Sequence, residues 1–163
     1  MSVVISDTSP IRALSQLDLL SLLSDLYADV FIPSAVAEEL ARRSKILGSL
    51  KPEELSLFRV VDPTIGIDAP REFWQLDPGE RDAIRLAIEL SADGLLIDER
   101  LGRRVASAMH LHTIGTLGIL GQGKRRGLID AVAPLIERLQ TEINFFISPS
   151  LKKVVHRDLG ELP

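Results

Sequence analysis

Short apolar runs alternate with helix-period segments along the whole chain, and this alternation constrains the fold more than any other feature. Val3-Val4-Ile5, Asp29-Val30-Phe31-Ile32 and Gly94-Leu95-Leu96-Ile97-Asp98 have strand length and are apolar on both faces. Strands of that kind belong to parallel sheets covered by helices on both sides. Phe58-Arg59-Val60-Val61 is a weaker strand and Thr113-Ile114 a short one. Between them, helices are expected over the leucine-rich stretch Leu14 to Leu26, after Pro33, from Asp77 to about Ala92, from about Glu99 to Met109 and from Asp130 to Ile143. The expected fold is α/β: three-layer α/β/α with a central, mainly parallel sheet. It spans 1–163 as a single domain with a helical C-terminal extension from about 130. Val61 to Arg71, with Pro63, Gly66 and Pro70, reads as a loop within that domain.

Composition excludes several classes of function. With 163 residues and 45% hydrophobic content, the chain can bury a core without staples. No apolar run reaches the ~18 residues of a membrane span, so no membrane association is expected. Met1 leads directly into strand-like sequence without a basic segment, so no secretory signal is expected and a cytoplasmic location is. The absence of cysteine removes disulfides and thiolate metal sites. A net charge of −4 argues against coating nucleic acid through bulk charge. It leaves room for a local basic groove, because Arg100, Arg103 and Arg104 form one cluster and Lys124, Arg125 and Arg126 another. Solvated helix faces are the commoner meaning of such runs.

In parallel α/β sheets ligands bind at the carboxyl ends of the strands. Asp7 and Asp98 each end an apolar strand, so both are candidates by position. The helices can be tested by angle, at about 100° per residue. After Pro33, Val36 and Leu40 mark the buried stripe; Glu39 lies about 60° from Val36, and Glu38 about 200° away, facing solvent. After Asp77, Ile84, Ala87 and Ile88 form the stripe, and Glu80 sits on that side while Asp82 and Glu89 point outward. Glu80 also has capping-box spacing from Asp77, and Asp7, Thr8 or Ser9 can cap the helix that Pro10 begins. If Asp7, Glu39, Glu80 and Asp98 converge, they cannot all stay ionised in a dry site unless a cation offsets them. Mg²⁺ or Mn²⁺ takes oxygen ligands, and such a centre suits phosphodiester hydrolysis.

Five segments, "ISDTSPIRAL", "IPSAVAEEL", "LDPGERDAIRLA", "LLIDERLGRRVA" and "IGTLGIL", occur in order over nearly the whole chain. In these the chain resembles the PIN-domain superfamily, and within it small stand-alone prokaryotic PIN-like proteins. The resemblance implies a metal-dependent ribonuclease, often the toxin of a toxin–antitoxin pair, with RNA as substrate and an antitoxin protein as partner. It implies Asp7, Glu39, Glu80 and Asp98 as the acidic quartet that holds Mg²⁺ or Mn²⁺, with Thr8 or Ser9 at the hydroxyl position beside the first aspartate; Asp7 and Asp98 are expected to hold the metal most directly, and Glu39 and Glu80 to complete its shell largely through water. Glu38 competes with Glu39, and Glu99 with Asp98. Arg103 is the candidate phosphate contact, with Lys124 behind it. A homodimer is expected by the same analogy, with Phe145-Phe146-Ile147 as an exposed cluster for the interface. After "GTLGIL" the chain departs from the family: Gly121 and Gly123 interrupt the helix at roughly 1 kcal/mol each, which predicts a frayed segment.

Two other nucleotide chemistries fit poorly. Gly118 to Lys124 has P-loop spacing, but Arg125 stands where Mg²⁺ binding needs Ser or Thr. A phospho-acceptor domain needs a second acid beside the first, and Thr8 and Ser9 stand there instead. The serious alternative is a non-catalytic PIN-like module that binds nucleic acid or protein. His110, His112 and His156 read as surface or packing residues, and Trp74 as core or interface rather than a base-stacking platform.

Overall fold

In the computed structural model, which describes residues 2–42 and 50–161, five strands form one sheet in which every pairing is parallel. They are β1 (Val3–Ser6), β2 (Asp29–Ile32), β3 (Arg59–Val60), β4 (Gly94–Leu96) and β5 (Thr113–Ile114), in the order β3-β2-β1-β4-β5. The register pairs Val4 with Val30 on one side and with Gly94 on the other. Nine α-helices surround the sheet among the described residues: α1 (Thr8–Gln16), α2 (Ser21–Leu26), α3 (Ser34–Arg42), α4 (Pro52–Leu55), α5 (Pro78–Glu89), α6 (Arg100–Ala108), α7 (Thr116–Arg125), α8 (Ala133–Glu142) and α9 (Pro149–Asp158). A 3₁₀ turn covers Arg71–Gln75.

Side-chain alternation along the strands divides the core into two halves. Val4, Val30, Ile32, Leu96 and Ile114 point to one face, which α1, α2, α3, α7 and α8 cover. Ile5, Leu95 and Ile97 point to the other, under α5, α6 and the buried ring of Phe73. This is the three-layer α/β/α arrangement. The strand order puts a switch point between β1 and β4, since the chain leaves β1 toward β2 and later returns to β1's other side. The loops after those two strands therefore part, and a crevice opens at their carboxyl ends.

Several elements differ from the sequence expectation, each for a local reason. The expected helix from Leu14 to Leu26 is two helices. At the end of α1, Asp18 takes a left-handed conformation (φ 56°), the Leu19 amide donates to the Leu14 carbonyl at 2.8 Å, and the Asp18 amide to Ser15. That is a Schellman ending without the glycine that would announce it. Ser91 (φ 48°) ends α5 and His110 (φ 65°) ends α6 in the same way, so these helices stop short of Ala92 and at Ala108. The segment expected to fray is continuous helix: α7 runs through Gly121 and Gly123, both buried. A Cβ at Gly123 would stand 3.0 Å from Leu22 Cδ1, so the glycine lets α2 approach α7 closely. In α5 the buried stripe is Ala83, Ile84, Leu86 and Ala87, with Ile88 at its margin. Trp74 is 65% exposed and thus not core, while its neighbour Phe73 is. The Phe145-Phe146-Ile147 cluster is exposed only at Phe146, because Ile147 is buried and Phe145 partly so. The expected domain limits at 1 and 163 fall outside the described residues. No helix among the described residues is long and apolar enough to cross a membrane.

Candidate active site

Asp7 is the first residue beyond β1, and its amide still donates to the Leu96 carbonyl at 2.9 Å, one step past the paired strand. The ladder therefore fixes its backbone. It is the N-cap residue of α1, yet its side chain makes no cap bond and is 4% exposed. The capping duty that would explain an aspartate here is thus not what holds the side chain. Thr8, in the first turn of α1, is buried and donates its hydroxyl to Glu39 Oε2 at 3.0 Å. That bond ties α1 to α3 and turns Glu39 inward, while Glu38 faces solvent, as the helical angles require. Arg12 supports the same corner, donating to the Glu39 carbonyl at 2.9 Å.

Glu80 sits in the first turn of α5 and is 6% exposed. Its capping box is real: the Glu80 amide donates to Asp77 Oδ1 at 2.8 Å, and the Asp77 amide to Glu80 Oε2 at 3.1 Å. The cap does not use the other carboxylate oxygen. A Cβ at Gly102 would stand 3.5 Å from Glu80 Oε1, and one at Gly79 would stand 3.6 Å from Asp7 Oδ1. The two glycines thus mark where α5, α6 and the end of β1 close around Asp7 and Glu80. Capping and inward placement coexist in one side chain.

Burial raises the carboxyls of three of the four sequence candidates. Burial pushes Asp7 up to about 7, against a bond from the Thr8 amide, and the charges of Glu80, Asp77 and Glu39 add to the rise. Glu80 is likewise pushed up to about 7, by burial first and then by Asp77, Glu99 and Glu39. Asp98 is held by other partners. Its carboxylate accepts from the Thr116 amide and from the Thr116 hydroxyl, each at 2.7 Å, which turns it toward the start of α7. Burial raises its carboxyl, and Thr116 and the Arg103 guanidinium work against that rise. Arg103 lies over Gly115, where a Cβ would meet its Nη1 at 2.5 Å.

Lys124 goes elsewhere: it pairs with Glu161, which also accepts from the Val132 and Ala133 amides. Ser9 lines the same cavity as Asp98 and Arg103. Sequence reasoning missed Thr116 and Asp77 as members of the site. Thr116 stands in the quoted "IGTLGIL" segment directly after a strand, which is the one signal that could have found it. Asp77 was visible only as a helix cap.

A family model described as a PIN domain matches residues 3–161. The chain belongs to the PIN-domain family. Comparison with curated proteins gives no match. PIN domains are nucleases as a class and typically use divalent metals. In this PIN domain the donors suit a hard cation, because Asp7, Glu39, Glu80 and Asp98 offer only carboxylate oxygen. None of the four forms an ion pair among the described residues. Yet no three acidic or histidine side chains among the described residues converge as a metal-binding group. The donors therefore fit at most a site of few protein ligands rather than a closed four-carboxylate cage.

Proposed function

We propose that this protein is a Mg²⁺- or Mn²⁺-dependent endoribonuclease with Asp7 and Glu80 at its centre and Glu39 and Asp98 on its flanks. One observation carries the reading. Two neighbouring carboxylates are buried at the carboxyl end of the sheet, each pushed up to about 7, with no cationic side chain paired to either among the described residues. A fold that desolvates acids in this way favours a bound cation or an acid–base role. Asp7 and Glu80 would hold the metal, with Glu39 and Asp98 reaching it through water. When bound, it would supply a more acidic water and countercharge for the phosphoryl oxygens.

The chain's own residues define the remaining roles. Thr8 fixes Glu39 through its hydroxyl, which leaves Ser9 as the hydroxyl free to meet a scissile phosphate. A carboxylate that titrates near neutrality is suited to take a proton from attacking water. Arg103 lines the cavity beside Asp98, which supports a role for it in contacting a phosphate oxygen. Lys124, committed to Glu161, has no part in this proposal. Family resemblance is what supports the toxin setting, an antitoxin partner and a cytoplasmic homodimer.

The test is cleavage of mixed RNAs with Mg²⁺, with Mn²⁺ and with chelator, comparing the wild type with Asp7→Asn. Cleavage that survives chelation, or that is unchanged in Asp7→Asn, would sink the mechanism. A non-catalytic binding module is the second reading, and a specific observation favours it: Glu80 Oε2 and both oxygens of Asp98 already accept hydrogen bonds. RNA binding without cleavage under every metal, unaffected by Asp7→Asn, would select that module.

A further inference from the structure

Helix α9 turns apolar residues to a cavity where a packed helix would turn them to core. That cavity, about 1030 Å³, is lined by Leu117, Gly118 and Gly121 of α7 and by Leu151, Val154 and Val155 of α9. Leu151 is 45% exposed and Val154 40%, so this face of α9 stays in contact with solvent. The two helices come together at Gly121, where a Cβ would stand 3.8 Å from Leu159 Cδ2. The buried residue of α9 is His156, and its Nε2 has no hydrogen-bond partner among the described residues. Packing therefore holds α9 weakly. Val155 and Leu159 are only partly buried against the core, and an unsatisfied imidazole nitrogen counts against the docked position.

Polar contacts toward the two ends of the helix hold it instead. Lys152, near its start, pairs with Glu137 of α8 and donates to Gln140 at 3.3 Å. At its other end Gly160 takes a left-handed conformation (φ 68°), and the Glu161 amide donates to the His156 carbonyl at 2.7 Å. This turn carries the Glu161 carboxylate to Lys124 and to the Val132 and Ala133 amides at 2.7 and 2.6 Å, where α8 begins. Before α9, the buried Ile147 anchors the segment that follows the left-handed Asn144. A helix with little buried area, tethered toward its ends, opens as a unit at lower free energy than the sheet.

We propose that α9 is a hinged wall of this cavity, which turns about Ile147 when Glu161 lets go, and that its opening admits substrate to the part lined by Ser9, Asp98 and Arg103. Admission of substrate rests on the nuclease reading; the hinge does not. Glu161 favours the closed wall and the orphaned His156 nitrogen disfavours it. Substitutions at the two positions therefore move the balance in opposite directions.

The test is amide hydrogen exchange of the full chain, read by mass spectrometry. Amides of α9 should be less protected than those of β1 and β4, through an opening that exposes less surface and so depends less on urea. Protection in α9 should fall about fivefold in Glu161→Gln. It should rise by about that factor in His156→Phe, which keeps a ring and removes the unsatisfied nitrogen. The chain has no cysteine, so Gly121→Cys with Leu159→Cys allows a single disulfide, and neighbours no closer than 3.5 Å leave room for a Cβ at Gly121. RNA cleavage should be about tenfold slower with that pair oxidised than with it reduced. Protection in α9 equal to that of β1 and β4 with the same urea dependence, or unmoved by Glu161→Gln, would overturn the hinge. Equal cleavage by the oxidised and reduced pair would overturn the gate. If the wild type cleaves under no metal while α9 shows its local opening, the nuclease reading fails and the hinge stands.

Discussion

Replacing Asp7 by Asn should stabilise the protein at alkaline pH. Asp7 is 4% exposed, and its carboxyl is pushed from 3.8 to about 7 in the folded chain. The folded state therefore holds this proton more tightly than the unfolded state does. Below pH 3.8 both states are protonated and the group has no effect. Stability is lost progressively as pH rises from there, and the loss is complete above about 7. A difference of about three pKa units corresponds to about 4 kcal/mol at full ionisation. Asparagine keeps the size of the side chain and an oxygen for the Thr8 amide, and removes the charge. Thermal or urea unfolding at pH 8 should show Asp7→Asn more stable than wild type by about 2–4 kcal/mol, roughly 10 °C in Tm. At pH 4 the two should nearly coincide. Mg²⁺ or Mn²⁺ should raise the wild-type Tm at pH 8 and leave that of Asp7→Asn in place. A variant less stable than wild type at pH 8 would refute the reasoning. So would a gain of equal size at both pH values, since it could not come from ionisation.

Thr116→Val removes the hydroxyl bond to Asp98 at 2.7 Å but keeps the amide bond, so unfolding should detect a loss of about 1–3 kcal/mol. Asp98 would then titrate higher, and the acid limb of any cleavage profile should move to higher pH. Gly102→Ala puts a Cβ 2.7 Å from the fully buried Ile97 Cδ1, and overpacking of about 1–3 kcal/mol should exceed the gain in helix propensity, lowering the urea midpoint. Burial opposes the charge of Glu161, yet Lys124 and the Val132 and Ala133 amides hold its carboxyl below the usual 4.5. Its stabilising effect is present above that value and lost as pH falls through the folded value. Glu161→Gln should therefore cost about 1 kcal/mol at pH 7 and progressively less in acid, read by unfolding across pH.

Strand identity and sheet type were legible because strands buried on both faces leave no polar alternation to hide them. The choice of Glu39 over Glu38 was equally legible, since it depends only on helical angle within one element. Where side chains meet across elements, the sequence carried less. The turn of Asp98 toward Thr116 joins residues 18 apart, and the pairing of Lys124 with Glu161 joins residues 37 apart. Neither leaves a spacing signature. Helix ends were misplaced where Asp18, Ser91 and His110 adopt the left-handed conformation usually reserved for glycine, because the hydrogen bonds of the ending and not the residue type determine the stop. Gly121 and Gly123 misled in the opposite direction. Helix propensity counts both as losses, and at Gly123 the close approach of Leu22 offsets what propensity subtracts.

The same strand order that creates the crevice also explains why its acids divide. β4 returns beside β1, so Asp7 and Asp98 end neighbouring strands, but the helices that follow lie on opposite faces of the sheet. Asp7 is drawn into the corner formed by α1, α3 and α5, and Asp98 into the corner formed by α6 and α7. The first corner holds buried acids, Asp7 and Glu80, that form no ion pair among the described residues, and the second holds an acid beside Arg103. A domain of this size is stable by about 5–15 kcal/mol, so a buried carboxylate costing about 4 kcal/mol when ionised is a large fraction of the total. Asparagine at position 7 would keep the packing and avoid that cost. An aspartate there is economical only if its charge is used. A cation on the Asp7 side and a phosphate beside Arg103 would each supply what its corner lacks, and a phosphodiester lying across the crevice would meet both.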